Sequence, residues 1–224
     1  VPGDNLYRVA SDDAGRLLAA WSTEPRIHVF AADGRRTATW PKPAGPPDVR
    51  HFQVSSLLFA DDGRDALVVM SGAIDVTTPR SRGPSTSMAV YRVALDGLST
   101  PTLLFRVDHG YLVHLTAAGA VFALPKTVES RCDHRACPLA AVVAYEITDR
   151  GVTLRTLFDA TALEVDRVRA VRGSDKTRVT LLLGAPPPQA GRLLRWRHGE
   201  AQATVTPRTF PGDRTTLFVT RDDR

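Results

Sequence analysis

Apolar and polar positions along this chain come in short alternating runs, and no segment keeps the 3.6-residue apolar period of a long helix. Leu6-Tyr-Arg-Val-Ala-Ser11 is followed by Arg16-Leu-Leu-Ala-Ala-Trp21, Arg26-Ile-His-Val-Phe30 and Arg35-Arg-Thr-Ala-Thr-Trp40. Asp12-Asp-Ala-Gly15 separates the first pair and Ala32-Asp-Gly34 precedes the last run. Runs rich in Val, Ile, Phe and Trp, broken at Asp and Gly, predict antiparallel hairpins. The first unit thus reads strand, glycine turn, strand, loop, strand, glycine turn, strand.

The same grammar recurs three more times. Ser56-Leu-Leu-Phe-Ala-Asp-Asp-Gly63 and Asp65-Ala-Leu-Val-Val-Met70 open a second unit, which Met88-Ala-Val-Tyr-Arg-Val93 and Thr102-Leu-Leu-Phe-Arg-Val107 complete. A third runs from Tyr111 to Phe158 and a fourth from Val165 to about Thr206. The first-turn glycines Gly15, Gly63, Gly119 and Gly173 lie 48, 56 and 54 residues apart. The second-turn glycines Gly34, Gly97, Gly151 and Gly199 lie 63, 54 and 48 apart. Two separate turn series near one common period predict a β-propeller of four-stranded blades rather than a sandwich. The predicted blades span residues 6–40, 54–107, 111–158 and 165–206. Residues 215–224, Thr-Thr-Leu-Phe-Val-Thr-Arg-Asp-Asp-Arg, read as the first strand and turn of a further unit. On that reading the chain is part of a larger propeller, or its last strand closes a small ring; further blades or another chain would complete it.

Ser11-Asp-Asp-Ala-Gly-Arg-Leu-Leu-Ala-Ala-Trp21 and Phe59-Ala-Asp-Asp-Gly-Arg-Asp-Ala-Leu-Val-Val69, with Ile27-His-Val-Phe30 and Ala32-Asp-Gly34, carry a resemblance. Together they resemble the Ser-x-Asp-Gly-x-x-Leu-Ala…Ile-x-Val-x-Asp pattern of WD-repeat-like β-propellers. The resemblance implies an interaction platform and carries over no catalytic residue. Ser11, Asp13 and Gly15 also match part of the Asp-box turn of sialidase-like propellers, although Leu17 and Leu18 stand where that motif has Thr and Trp.

In up-and-down blades alternate connections share a face. Here the tight glycine turns take one face and the long connections the other: 71–87, 125–139 and 184–191 within units, and 41–51 between them. Binding residues favour long loops on a rigid frame. The long-loop face is therefore the predicted partner site, with Arg80, Arg82, Lys126, Arg131, His134 and Arg135 as its basic rim. Such a rim suits an acidic protein partner and would act mainly on encounter rate.

Composition changes the picture in two places. The net charge is +5, and of 29 basic residues only Lys42, Lys126 and Lys176 are lysines, a bias pointing to a GC-rich bacterial genome. Acidic residues are mixed in along the chain, which reads as a solvated mixed surface and gives no specific nucleic-acid signal. The two cysteines, Cys132 and Cys137, sit in one polar insertion. A disulfide closing that short loop is the leading expectation, with free thiols or a half metal site including His134 as alternatives. A disulfide tilts localisation towards a periplasmic or secreted setting. No apolar run is long enough to span a membrane as a helix.

The chain lacks the nucleophile elbow, the phosphate-binding loop and the zinc-protease helix motif, and no cofactor is expected. His109 and His114 flank Tyr111 on a predicted inner strand and are conceivable ligands or bases, but a satisfied strand-end histidine is the plainer reading. Glu129, Asp133 and His134 share the cysteine insertion without a reason to meet a substrate. Trp21, Trp40 and Trp196 fall on strands, where packing between blades is expected. The sequence therefore predicts a non-enzymatic propeller scaffold. The rival is a propeller hydrolase or lyase with a channel active site.

Overall fold

The computed structural model describes residues 6–21, 26–60, 63–78, 81–96, 99–126, 138–160, 165, 167–170, 177–184 and 191–207. They form sixteen strands, with no helix among them, in four separate four-stranded antiparallel sheets. Sheet one holds β1 (Leu6–Ser11), β2 (Leu17–Trp21), β3 (Arg26–Phe30) and β4 (Arg36–Pro41). Sheet two holds β5 (Val49–Phe59), β6 (Asp65–Thr78), β7 (Ser81–Ala94) and β8 (Thr102–Asp108). Sheet three holds β9 (Tyr111–Thr116), β10 (Gly119–Pro125), β11 (Leu139–Thr148) and β12 (Gly151–Asp159). Sheet four holds β13 (Arg167–Ala170), β14 (Arg178–Gly184), β15 (Arg192–Arg197) and β16 (Thr204–Pro207). In each sheet the strands lie in chain order, so the chain enters at one edge and leaves at the other. That meander is the topology of a propeller blade.

Six of the eight predicted turn glycines are described, while Gly97 and Gly173 lie outside the described residues. Gly15, Gly34, Gly63, Gly119, Gly151 and Gly199 all have positive φ, the conformation that a Cβ disfavours. Gly119 is also sterically required, since a Cβ there would lie 2.1 Å from the Tyr145 carbonyl oxygen.

The chain divides into two units: residues 1–77 with 83–108, and 78–82 with 109–224. In the first, β1 lies beside β5, and sheets one and two enclose a core that includes Leu18, Ile27, Trp40, Leu57, Val68 and Met70. Arg16 fastens the two sheets at the turn end. It pairs with Asp12, donates to the Gly63 carbonyl at 2.8 Å and lies over the Phe59 ring. In the second unit β9 lies beside β13, and Phe158, Leu139, Leu181, Leu183, Leu194 and Trp196 belong to the core of sheets three and four. Trp40 and Trp196 are buried on strands as expected, and Trp21 is half-buried with its ring edge-on to His28.

One expectation is overturned. Residues 71–78 and 81–87, expected as part of a long loop, are strand: β6 and β7 are fourteen residues each. Beyond the four-stranded part, where β5 pairs with β6 as far as Ile74 and β8 meets β7 from Ser87, they continue as a two-stranded ribbon. Small and β-branched residues such as Val76, Thr77 and Thr78 suit such a ribbon although they lack a large apolar face. The fold class itself stands: all-β, with four four-stranded antiparallel blades.

Candidate functional site

The predicted rim residues are only partly described. Lys126 is exposed just after β10, and its backbone N–H donates to the Pro138 carbonyl at 2.7 Å, pinning the base of the insertion between them. Arg82 lies on β7. Arg80, Arg131, His134 and Arg135 fall outside the described residues, as do Cys132, Cys137, Glu129 and Asp133. Of the predicted rim, therefore, only Arg82 and Lys126 are located among the described residues.

A different polar group is built at the turn end of the second unit. Glu146 stands near the end of β11, Arg155 on β12, His114 and Thr116 on β9, and His198 with Gly199 in the turn between β15 and β16. Register explains the convergence: Gly119 pairs with both Thr116 and Glu146, so β9 and β11 end at one level. Glu146 is 6% exposed. Its carboxylate accepts from Arg155 Nε and from the Gly199 N–H at 2.5 Å. A blade-three carboxylate therefore holds a blade-four turn.

The remaining contacts look like a nucleophile, base and acid in series. Thr116 Oγ1 is 2.9 Å from His198 Nε2, and His198 Nδ1 is 4.0 Å from Glu146 Oε1. Thr116 Oγ1 also lies 3.2 Å from the Gly119 carbonyl, which can only accept, and the tautomer of His198 sets the direction of the 2.9 Å contact. Thr116 is 5% exposed, which closes it to substrate. The group is a clasp between sheets three and four.

Electrostatics of the clasp follow from burial. Burial pushes the His114 imidazole below its ordinary 6.5, and the neighbouring His198 charge adds to that shift. Burial likewise lowers His198, with Glu146 opposing. His114 Nε2 and His198 Nδ1 are buried without a hydrogen-bond partner. His109, the other histidine near Tyr111, sits just before β9 with a left-handed φ of 61°. Among the described residues no group of three His, Cys, Asp or Glu is placed to hold a metal ion.

A second charged group lies in the first unit. Arg106 on β8 makes a two-pronged contact with Asp48 at 3.0 and 2.6 Å and also reaches Asp108 and Ser87. Asp48 belongs to the connection between sheets one and two, so this network pins that connection to the outer strand. Contact with Arg106 holds the Asp48 carboxyl below its usual range.

Sequence reasoning named His114 and missed the rest of the clasp. The available signal was Glu146, a lone charge in the apolar run Leu139–Ile147, since a charged residue in a buried strand is rarely left without partners.

No family model matches this chain, and no curated protein matches it. Among solved structures it is similar to hydrazine synthase of Kuenenia stuttgartiensis at 10% identity and a TM-score of 0.38, covering 84% of this chain and 63% of that one. It is similar to a putative 6-phosphogluconolactonase of Bacteroides uniformis at 10% identity and a TM-score of 0.39, covering 88% and 68%. It is also similar to virginiamycin B lyase of Staphylococcus aureus at 14% identity and a TM-score of 0.38, covering 95% and 73%. This chain spans less than two thirds of the hydrazine synthase chain. Likeness at this level carries no inference about chemistry.

Proposed function

We propose that the protein is a non-enzymatic binding module that engages an acidic protein partner through Arg80, Arg82, Lys126, Arg131, His134 and Arg135, the basic residues between β6 and β7 and in the insertion after Lys126. The observation that carries this reading is the ribbon itself. Its strands β6 and β7 are fourteen residues each and are hydrogen-bonded neighbours, and Arg82 lies on β7. Residues presented on a paired frame lose less entropy on binding than residues on a free loop. The catalytic alternative is not carried by the clasp, whose Thr116 hydroxyl is buried.

The test replaces Arg80, Arg82, Arg131 and Arg135 with Ala. Stability should change by less than about 0.5 kcal/mol, as is usual for surface substitutions. Recovery of the partner by affinity purification from the source cells should fall, and should fall for the unmodified protein as salt is raised. Undiminished recovery by the quadruple variant would remove this face from consideration.

A further inference from the structure

The two faces of sheet one differ in what covers them. Leu18, Ala20, Ile27, Val29 and Trp40 belong to the core shared with sheet two. Strand alternation puts Val9, Leu17, Ala19, Trp21, His28 and Phe30 on the other face. There Val9 is 49% and Leu17 39% exposed, two of the four large hydrophobic residues exposed among the described residues. Trp21 and Phe30 are half-buried and cluster with the buried His28 ring.

Sheet two shows what such a face accommodates. Ser11 pairs with Leu17 as Phe59 pairs with Ala66, and Val9 pairs with Ala19 as Leu57 pairs with Val68. Leu6 meets Trp21 as Val54 meets Met70, and the register shift at Val29/Phe30 recurs at Val90/Tyr91. Val9, Leu17, Trp21 and Phe30 are therefore the counterparts of Leu57, Ala66, Met70 and Tyr91. Those four lie in the core against sheet one, and none is more than 7% exposed. The turns repeat the match. Arg16 of sheet one donates to the Gly63 carbonyl, and Gly15 holds the corresponding turn position of sheet one, also at positive φ.

We propose that this face of sheet one is a docking surface for a further four-stranded blade, whose apolar face resembles that of Leu18, Ile27, Val29 and Trp40. Val9, Leu17 and Phe30 come from three successive strands, a width that a sheet covers and a single extended segment does not. The Gly15 carbonyl stands where an arginine of that blade would reach it, as Arg16 reaches Gly63. Arg26 and Arg36 mark the margin of the face, opposite Pro41 and Phe30, and the four strands hold no aspartate or glutamate. Two copies set face to face would therefore bring like charges together, whereas a blade with carboxylates at its margin complements the surface. None of these residues belongs to the rim proposed above.

A tandem chain with residues 1–48 repeated ahead of residue 1 supplies such a blade at the 48-residue spacing of Gly15 and Gly63. Its thermal midpoint should lie about 5 °C or more above that of the unmodified chain, since a stacked repeat adds a nearest-neighbour interface. V9E/L17E in the original blade of the tandem should abolish that rise. In the unmodified chain the same pair should shift the midpoint by about 3 °C or less, both positions being exposed. A folded tandem with no rise overturns the proposal, as does a rise that V9E/L17E leaves intact. If the tandem does not fold, fluorescence of the apolar-surface dye ANS with the unmodified chain decides. V9E/L17E should lower that fluorescence by about half or more, and an unchanged signal overturns the proposal. A dimer of the unmodified chain in sedimentation equilibrium that V9E/L17E dissociates would assign the face to a second copy and overturn it too.

Discussion

Thr116, Glu146 and His198 illustrate how little separates a clasp from a catalytic group. Here the hydroxyl is 5% exposed, and its contacts with the Gly119 carbonyl and His198 join the turns of two neighbouring sheets. What the group does instead is respond to protons. His114 and His198 both have folded-state pKa values below the ordinary 6.5. The folded protein thus binds fewer protons than the unfolded chain in the window below 6.5, and stability falls as pH drops through it. The urea midpoint should decline between pH 7.5 and 5, and the slope should flatten in H114Q/H198Q. Histidine NMR titrations should place both imidazoles below 6.5; either one titrating above that value would contradict this account. The carboxylate matters more than the imidazoles. E146A leaves Arg155 and the Gly199 N–H without their acceptor and should cost about 2–3 kcal/mol, tempered because Arg155 is about a third exposed. E146Q, which keeps an acceptor, should cost less in the same urea titration.

At the scale of elements, turn chemistry was the most legible feature. Asp and Gly spacing located the hairpins because a positive-φ turn position admits few residues. The positions are not equal, however. A Cβ at Gly34 meets nothing within 4 Å, so G34A should cost only the backbone preference, about 1–2 kcal/mol. A Cβ at Gly119 collides with the Tyr145 backbone, so G119A should cost about 3 kcal/mol or more, of the order seen for severe local strain. Comparing the two thermal midpoints checks this ordering, and equal losses would refute it. The β6–β7 ribbon was misread because Thr, Ser, Gly and Pro signal loops in sequence. In the fold, β5 pairs with the base of the ribbon through Val49 and Arg50, and that pairing carries the strands onward.

For the whole molecule, the two units each carry their own apolar core. Sixteen strands without a helix among the described residues predict a far-ultraviolet circular dichroism spectrum of β type. A helical double minimum would be incompatible with this fold. The repeat, the four-stranded blade and the buried tryptophans could be read from the chain alone, because alternation and turn residues act over a few neighbours. The clasp and the cross-strand pairings could not. Glu146 and Gly199 are 53 residues apart, and Arg178 faces Arg197 only through the register of β14 on β15. Pairing strands brings like charges from separate segments onto one face, and only the tertiary structure sets which residues stand opposite one another.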